Sequence, residues 1–300
     1  MLDKNKLTEI YYIADEFSKA FERELRAHQL PEAGKKTRNR AARLSDSEVI
    51  TILLCFHLSH VRDFKSFYIG YVQKHLQAEF PQRVSYNRFT ELSQRALLPL
   101  MMFTRLLCKG ECTGISFIDS MSIKVCHNKR IHQHKVFKEI AQRGHCSLGW
   151  FFGFKLHLVI NDKGELLNFT VTRGNVDDRN DQVINTLVKN LFGKLYGDKG
   201  YLSKSLFEKL FHQGVHLVTK IKSNMKNQLM SLRDKVLLRK RALIETVNDE
   251  LKNICQVEHS RHRSFAGFLL NLLSAVGAYH FFPKKPSINV SYVRTNQLSL

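Results

Sequence analysis

Acidic residues are scarce in this chain. Against 47 Lys and Arg it carries only 27 Asp and Glu, which leaves a formal charge of +20 over 300 residues. A compact protein with that excess repels itself unless a polyanion neutralises it. Nucleic acid is the commonest such partner, and an anionic membrane surface is its rival. The six cysteines (Cys55, Cys108, Cys112, Cys126, Cys146 and Cys255) form no C-x-x-C pair. No secretory signal opens the chain, because Asp3, Lys4 and Lys6 interrupt it. Together these read as reduced thiols in a cytosolic protein. There is no internal repeat and no low-complexity segment. Phe265 to Phe282 lacks charge, but Gly267, Asn271, Ser274, Gly277 and His280 interrupt its apolar character. A buried helix packed against a sheet suits it better than a lone membrane span. With 43% hydrophobic and 25% charged residues, the chain is long enough for one large domain or two ordinary ones.

The first 110 residues read as helical. Leu7, Ile10, Tyr11, Ala14, Phe17, Phe21 and Leu25 recur at steps of three and four, which predicts a helix over 3–28. A basic stretch holding Pro31 and Gly34 and ending near Arg43 reads as a loop. Ser45 with Glu48 makes a capping box ahead of the apolar run Val49–Leu58. Ser85 can cap a helix starting at Tyr86, and another spans about Leu97 to Cys108. The pattern then changes to strands: Ile115–Ile123, Phe152–Ile160 and Leu166–Thr172. The last two are joined by the turn residues Asn161-Asp162-Lys163-Gly164. Helices and short strands then alternate: a helix near 181–192, a strand Lys194–Asp198, a helix near 203–213 and a strand His216–Thr219. Helices close the chain around 229–254 and 264–281. The order implies a mixed sheet flanked by helices, with an all-helical region at 1–110 and an α/β domain at 111–300.

Three acids stand out. Asp119 interrupts the apolar strand Ser116-Phe117-Ile118-Asp119-Ser120. Asp198 ends Lys194-Leu195-Tyr196-Gly197-Asp198, and the glycines around it free the backbone to turn. Taken singly, either Asp could be a helix cap or a salt-bridge partner of Lys199 or Lys124. Two on neighbouring strands of one sheet are a different matter, because hard cations need clustered carboxylate oxygens at a fixed distance. Downstream, Arg241, Glu245 and Lys252 fall within roughly 40° of one another at about 100° per residue. One helix face would then present an acid to the metals and two cations to an anionic substrate. Asp249 is the rival for the third acid, and a solvated face with ion pairs is the alternative for the whole set.

These blocks resemble the three signature blocks of DDE transposases from bacterial insertion sequences. The last is similar to the Y-x2-R-x3-E-x6-K signature of the superfamily typified by insertion sequence 4. More closely, the chain resembles the insertion-sequence family 982 type, through Gly149-Trp150-Phe151-Phe152-Gly153-Phe154-Lys155 and Val171-Thr172-Arg173-Gly174-Asn175-Val176-Asp177-Asp178. Leu238 stands where the signature has tyrosine. The resemblance implies an RNase H-like domain with Asp119, Asp198 and Glu245 as metal ligands and catalytic residues. It further implies Mg²⁺ or Mn²⁺, two ions about 4 Å apart, terminal-repeat and target DNA as partners, and a homodimer or higher oligomer in a bacterial, nucleoid-associated setting.

The DNA contacts expected from the sequence are Arg241, Lys252 and Lys199, then Lys124, Lys129, Arg130 and Lys135 in the basic stretch Lys124–Cys146. That stretch reads as a phosphate-contacting loop between the first two strands. Its Cys and His residues match no zinc spacing. A second basic stretch runs from Lys220 to Arg241. Asn87 and Arg88, on the helix opened by Ser85, are candidates for reading base edges. The rival functions are a nuclease or resolvase that cuts without joining, and a non-catalytic DNA-binding protein on the same fold.

Overall fold

The computed structural model describes residues 3–28, 42–147, 149–220, 230–258 and 262–288. Most of the basic stretch between helix 3–28 and Ser45, and much of the stretch 220–241, lie outside them. Helix α1 (Lys4–His28) buries Leu7, Ile10 and Ala14 along one stripe, as the periodicity requires. Helix α2 (Asp46–Leu58) starts at the Ser45–Glu48 capping box, with both reciprocal bonds formed, and is buried from Ser47 to His57. A broken helix follows, α3 (Phe64–Phe67) and α4 (Gln73–His75), joined by a wide turn Tyr68–Val72. Ser85 caps α5 (Tyr86–Arg95), and α6 (Leu97–Leu106) completes the helical region.

Six strands follow, β1 (Ile115–Cys126), β2 (Gln142–Cys146), β3 (Gly149–Asn161), β4 (Leu166–Arg173), β5 (Gly193–Gly197) and β6 (Val215–Thr219), in one mixed sheet. β1 runs antiparallel to β3 and parallel to β5, and β6 lies parallel beyond β5. β2 and β4 share the far edge of β3. Read through its central path, β4-β3-β1-β5-β6, this is an RNase H-like sheet. Strand β2 is a finding: the stretch read as a continuous basic loop ends in a strand. Its sequence Gln-Arg-Gly-His-Cys shows no apolar alternation, and pairing with β3 alone extends it.

Alternate residues of the central strands feed two cores. Phe117, Met121, Leu156, Leu158 and Tyr196 face one side. There they meet α10 (Ala242–Asp249) and α11 (Phe265–His280) together with the N-terminal helices. Ile118, Val159, Leu195 and Leu217 face the other side, against α7 (Asp181–Leu187) and α8 (Lys204–His212). Helix α9 (Leu232–Lys240) leads into α10 and is tied to β5: Lys194 Nζ lies 2.8 Å from both Asp234 carboxylate oxygens, and the Tyr196 hydroxyl donates to the same group.

The uncharged segment forms α11, sixteen residues long, held against α2 and α6, with Phe268 stacked on Phe154 of the sheet at 4.7 Å. A Cβ at Gly277 would sit 2.7 Å from Leu54, so the helices approach closely there. Among the described residues no helix is long and apolar enough to cross a membrane.

Candidate active site

Asp119 lies midway along β1, on the face that carries Phe117 and Met121. The paired residues Phe117 and Tyr196 fix the register of β1 against β5. The ladder ends at that pair: Asp119 stands two residues beyond Phe117 within β1, and Asp198 two residues beyond Tyr196, just past the end of β5. Asp198 directly follows β5, where the chain turns into the short helical turn Lys199–Tyr201.

The facing element is α10. Asn248 donates from Nδ2 to Asp119 Oδ2 at 3.0 Å. Arg241, at the break between α9 and α10, places a guanidinium nitrogen 3.9 Å from Asp119 Oδ1. The same side chain grips Glu245 Oε1 at 2.6 Å. Arg241 is largely covered (14% exposed), whereas the Glu245 side chain is 57% exposed. Arginine thus bridges the two acids as an internal counter-cation. Asp249, the rival third acid, instead accepts from Asn253 at 2.5 Å. Leu238 is buried against the core. Lys252 pairs with Glu258 at 3.7 Å. It stands in the wide turn Glu250–Ile254, whose Cys255 N–H bonds back to Glu250 O, five residues away.

Electrostatics mark Asp119. Burial pushes its carboxyl up to about 6, with Glu245 and Asp178 adding to the rise and Arg241 opposing it. Asp178 lies on the opposite face, where Lys155 Nζ holds it at 3.0 Å and the buried His157 is 3.7 Å away. Burial keeps His157 below its ordinary value. Tyr201 is buried near both aspartates; burial first, then Asp178 and Asp119, push its phenol well above the usual range, so it stays neutral. The sequence reading gave Asp178, Asn248 and Tyr201 no role. Asp178 stands in turn-like sequence, and its partners lie over twenty residues upstream.

Do these groups suit a hard cation? Asn248 Oδ1 is buried with no hydrogen-bond partner, beside a half-buried carboxylate whose charged form is disfavoured. A nearby cation would relieve both conditions, and oxygen donors are what magnesium-like ions take. The residues therefore fit. Among the described residues, however, no three His, Cys, Asp or Glu side chains are gathered tightly enough to enclose an ion. Glu245 is held by Arg241 instead.

The expected DNA contacts Lys124, Lys129, Arg130, Lys135 and Lys199 are all exposed, and none of these side chains pairs with an acid among the described residues. Asn87 is exposed on α5, and Arg88 pairs with Glu91 at 2.6 Å.

The family model described as a transposase DDE domain matches residues 109–265, which take in every element just described from β1 to the wide turn after α10. The chain belongs to that family. It is a DNA transposase, and domains of this kind work with divalent metal ions. Two solved structures are similar. One is a piggyBac transposase synaptic complex with hairpin DNA, at 11% identity over 91% of this chain and 72% of that one, with a TM-score of 0.45. The other is the Mos1 strand transfer complex, at 11% identity over 91% of this chain and 95% of that one, with a TM-score of 0.24. No curated protein matches the transposase.

Proposed function

We propose that the transposase cuts DNA at the ends of its own insertion sequence and joins the freed 3′-hydroxyl to target DNA. In this reading Asp119, Asp198 and Glu245 hold two Mg²⁺ or Mn²⁺ ions and carry the catalysis. What supports it is the placement of Asp119 on β1 and of Asp198 just past the end of the neighbouring strand β5, with Glu245 on the helix whose Asn248 reaches Asp119. When bound, the ions activate a water or a 3′-hydroxyl and neutralise the leaving oxygen. The protein groups do the rest. Asp119 and Asp198 fix the donor oxygens on one rigid sheet. Asn248 orients the Asp119 carboxylate and offers its own free oxygen. Arg241 lets go of Glu245 and turns its charge to the DNA phosphate. Tyr201, neutral and buried, keeps water away from beneath the carboxylates.

The motif blocks support membership of the insertion-sequence family 982 type within the insertion sequence 4-like superfamily, and a bacterial, cytoplasmic, nucleoid-associated setting. We assign DNA binding and dimerisation to residues 1–110 and catalysis to 111–300, with a homodimer or higher oligomer as the active complex. Arg241, Lys252, Lys199, Lys124, Lys129, Arg130 and Lys135 are the phosphate contacts; Asn87 and Arg88 read the terminal repeat.

The test is an assay with Mg²⁺ and DNA carrying the element's own ends. Asp119→Asn, Asp198→Asn and Glu245→Gln should each abolish cleavage, with DNA affinity within about threefold of the parent. Full cleavage by any one of them removes that residue from the site. Cutting without strand transfer reduces the function to that of a nuclease.

A further inference from the structure

The chain contains one tryptophan, and it is not in a core. Trp150 stands near the start of β3 with 67% of its surface exposed. Leaving so large an apolar ring in water forgoes burial worth a few kcal/mol, so a partner for it is worth seeking. The residue is firmly set. Its carbonyl accepts from Asn128 Nδ2 at 2.7 Å, and His145, its partner across β2, meets the indole edge-on at 5.2 Å. An edge-on neighbour leaves a ring face open.

That ring flanks a groove of about 470 Å³, which continues past Arg143, His145 and Asn175 to Lys155, Asp178 and Gly200. Gly200 lies two residues beyond Asp198 in the chain, and Asp178 is the acid felt by Asp119. The groove thus passes from Gly200, close to Asp198 in the chain, along the Lys155 side of the sheet to the indole. Its charges are arranged in two parts. Lys155 is neutralised by Asp178, and Arg179 by Asp177. Arg143, beside the indole, is exposed and pairs with no acid among the described residues. A charge-balanced wall, a free guanidinium and an open aromatic face suit the bases and phosphate of a single DNA strand.

We propose that the Trp150 groove binds an unpaired DNA strand leaving the active site, with a base stacked on the indole and a phosphate on Arg143. This rests on the DNA-cutting reading above. The length of strand follows from the sheet. Lys155 is five residues from Trp150 along β3, about 16 Å; Leu158, which pairs with Asp119, is eight residues away, about 26 Å. At about 3.4 Å per stacked nucleotide the indole is reached roughly five to eight nucleotides from the reacting phosphate.

Because Trp150 is the only tryptophan, its fluorescence reports the groove directly. The full chain, in chelator so that nothing is cut, is titrated with element-end duplexes that are blunt or carry single-stranded tails of two or ten nucleotides. Quenching is expected with the ten-nucleotide tail and not with the other two. Trp150→Ala should weaken binding of the long-tailed DNA about tenfold, read by anisotropy of a labelled strand, and leave blunt-duplex affinity unchanged. Trp150→Phe, which keeps an aromatic face, should recover most of the loss. Equal quenching by all three DNAs, or none by the long tail while blunt duplex still binds and is cut on adding Mg²⁺, overturns the groove assignment alone. Failure to bind any DNA overturns the groove assignment together with the cutting function.

Discussion

Asp119 shows what a single residue is asked to do here. In an unfolded chain its carboxyl titrates near 3.8; in the fold burial raises it to about 6. Between these values the native state holds the extra proton. Stability therefore falls as pH rises from below 4 to about 6 and then levels off. The loss is on the order of 2–3 kcal/mol at neutral pH. Asp119→Asn should remove it: in chelator the variant should be more stable than the parent at pH 7 and close to it at pH 4, by urea denaturation. An equal difference at both values would show that charge is not the cause. Mg²⁺ should act in the opposite sense to the buried charge. At a hundredfold excess over its dissociation constant it should add about 2.7 kcal/mol to the parent at pH 7, with little gain for Asp119→Asn, measured by the same denaturation. Similar gains in both proteins would place the ion elsewhere.

At the scale of elements, β1 must stay in register with β3 for Asp119 to keep its place in the sheet, and glycine makes that possible at one point. A Cβ at Gly153 would fall 2.0 Å from the Ile123 carbonyl, next to the irregularity between Lys124 and Cys126. Gly153→Ala should force the strands apart and destabilise the protein by about 2 kcal/mol or more. Gly70→Ala, where nothing lies within 4 Å of the added methyl, should be neutral or slightly stabilising. Thermal unfolding of the pair checks the argument; equal effects would refute it. Much of this level was legible in the sequence because its signals are local. Ser45 and Glu48 announce α2, the alternation from Phe152 to Ile160 announces β3, and an acid inside an apolar strand announces Asp119. What stayed hidden depends on distant partners. Gln142–Cys146 becomes a strand only because β3 offers an edge. The helix breaks at Arg241 although no glycine or proline stands there, and that residue turns to Asp119 and Glu245. Asp178 sits in turn-like sequence, and its importance comes from Lys155 and Asp119.

The whole molecule carries its charge excess unevenly. The acids are largely consumed in pairs, Asp234 with Lys194, Asp178 with Lys155 and Asp177 with Arg179, while Lys129, Arg130, Lys135 and Lys199 stand exposed and unmatched among the described residues. Free cations of that kind release counterions when they meet DNA, by about 0.9 log unit of affinity per log unit of salt for each phosphate. If Lys129, Arg130 and Lys135 each meet one phosphate, replacing all three by Gln should lower the salt slope by about 2.7. The affinity at low salt should fall while urea stability is unchanged, since none of the three holds an acid. The slope is read from anisotropy titrations of element-end DNA between 50 and 200 mM salt. A parent slope near zero would mean that the +20 charge is not what binds DNA. An unchanged slope in the triple variant would move the phosphate track away from the β1–β2 connection, to Lys199 and Arg241 beside the aspartates.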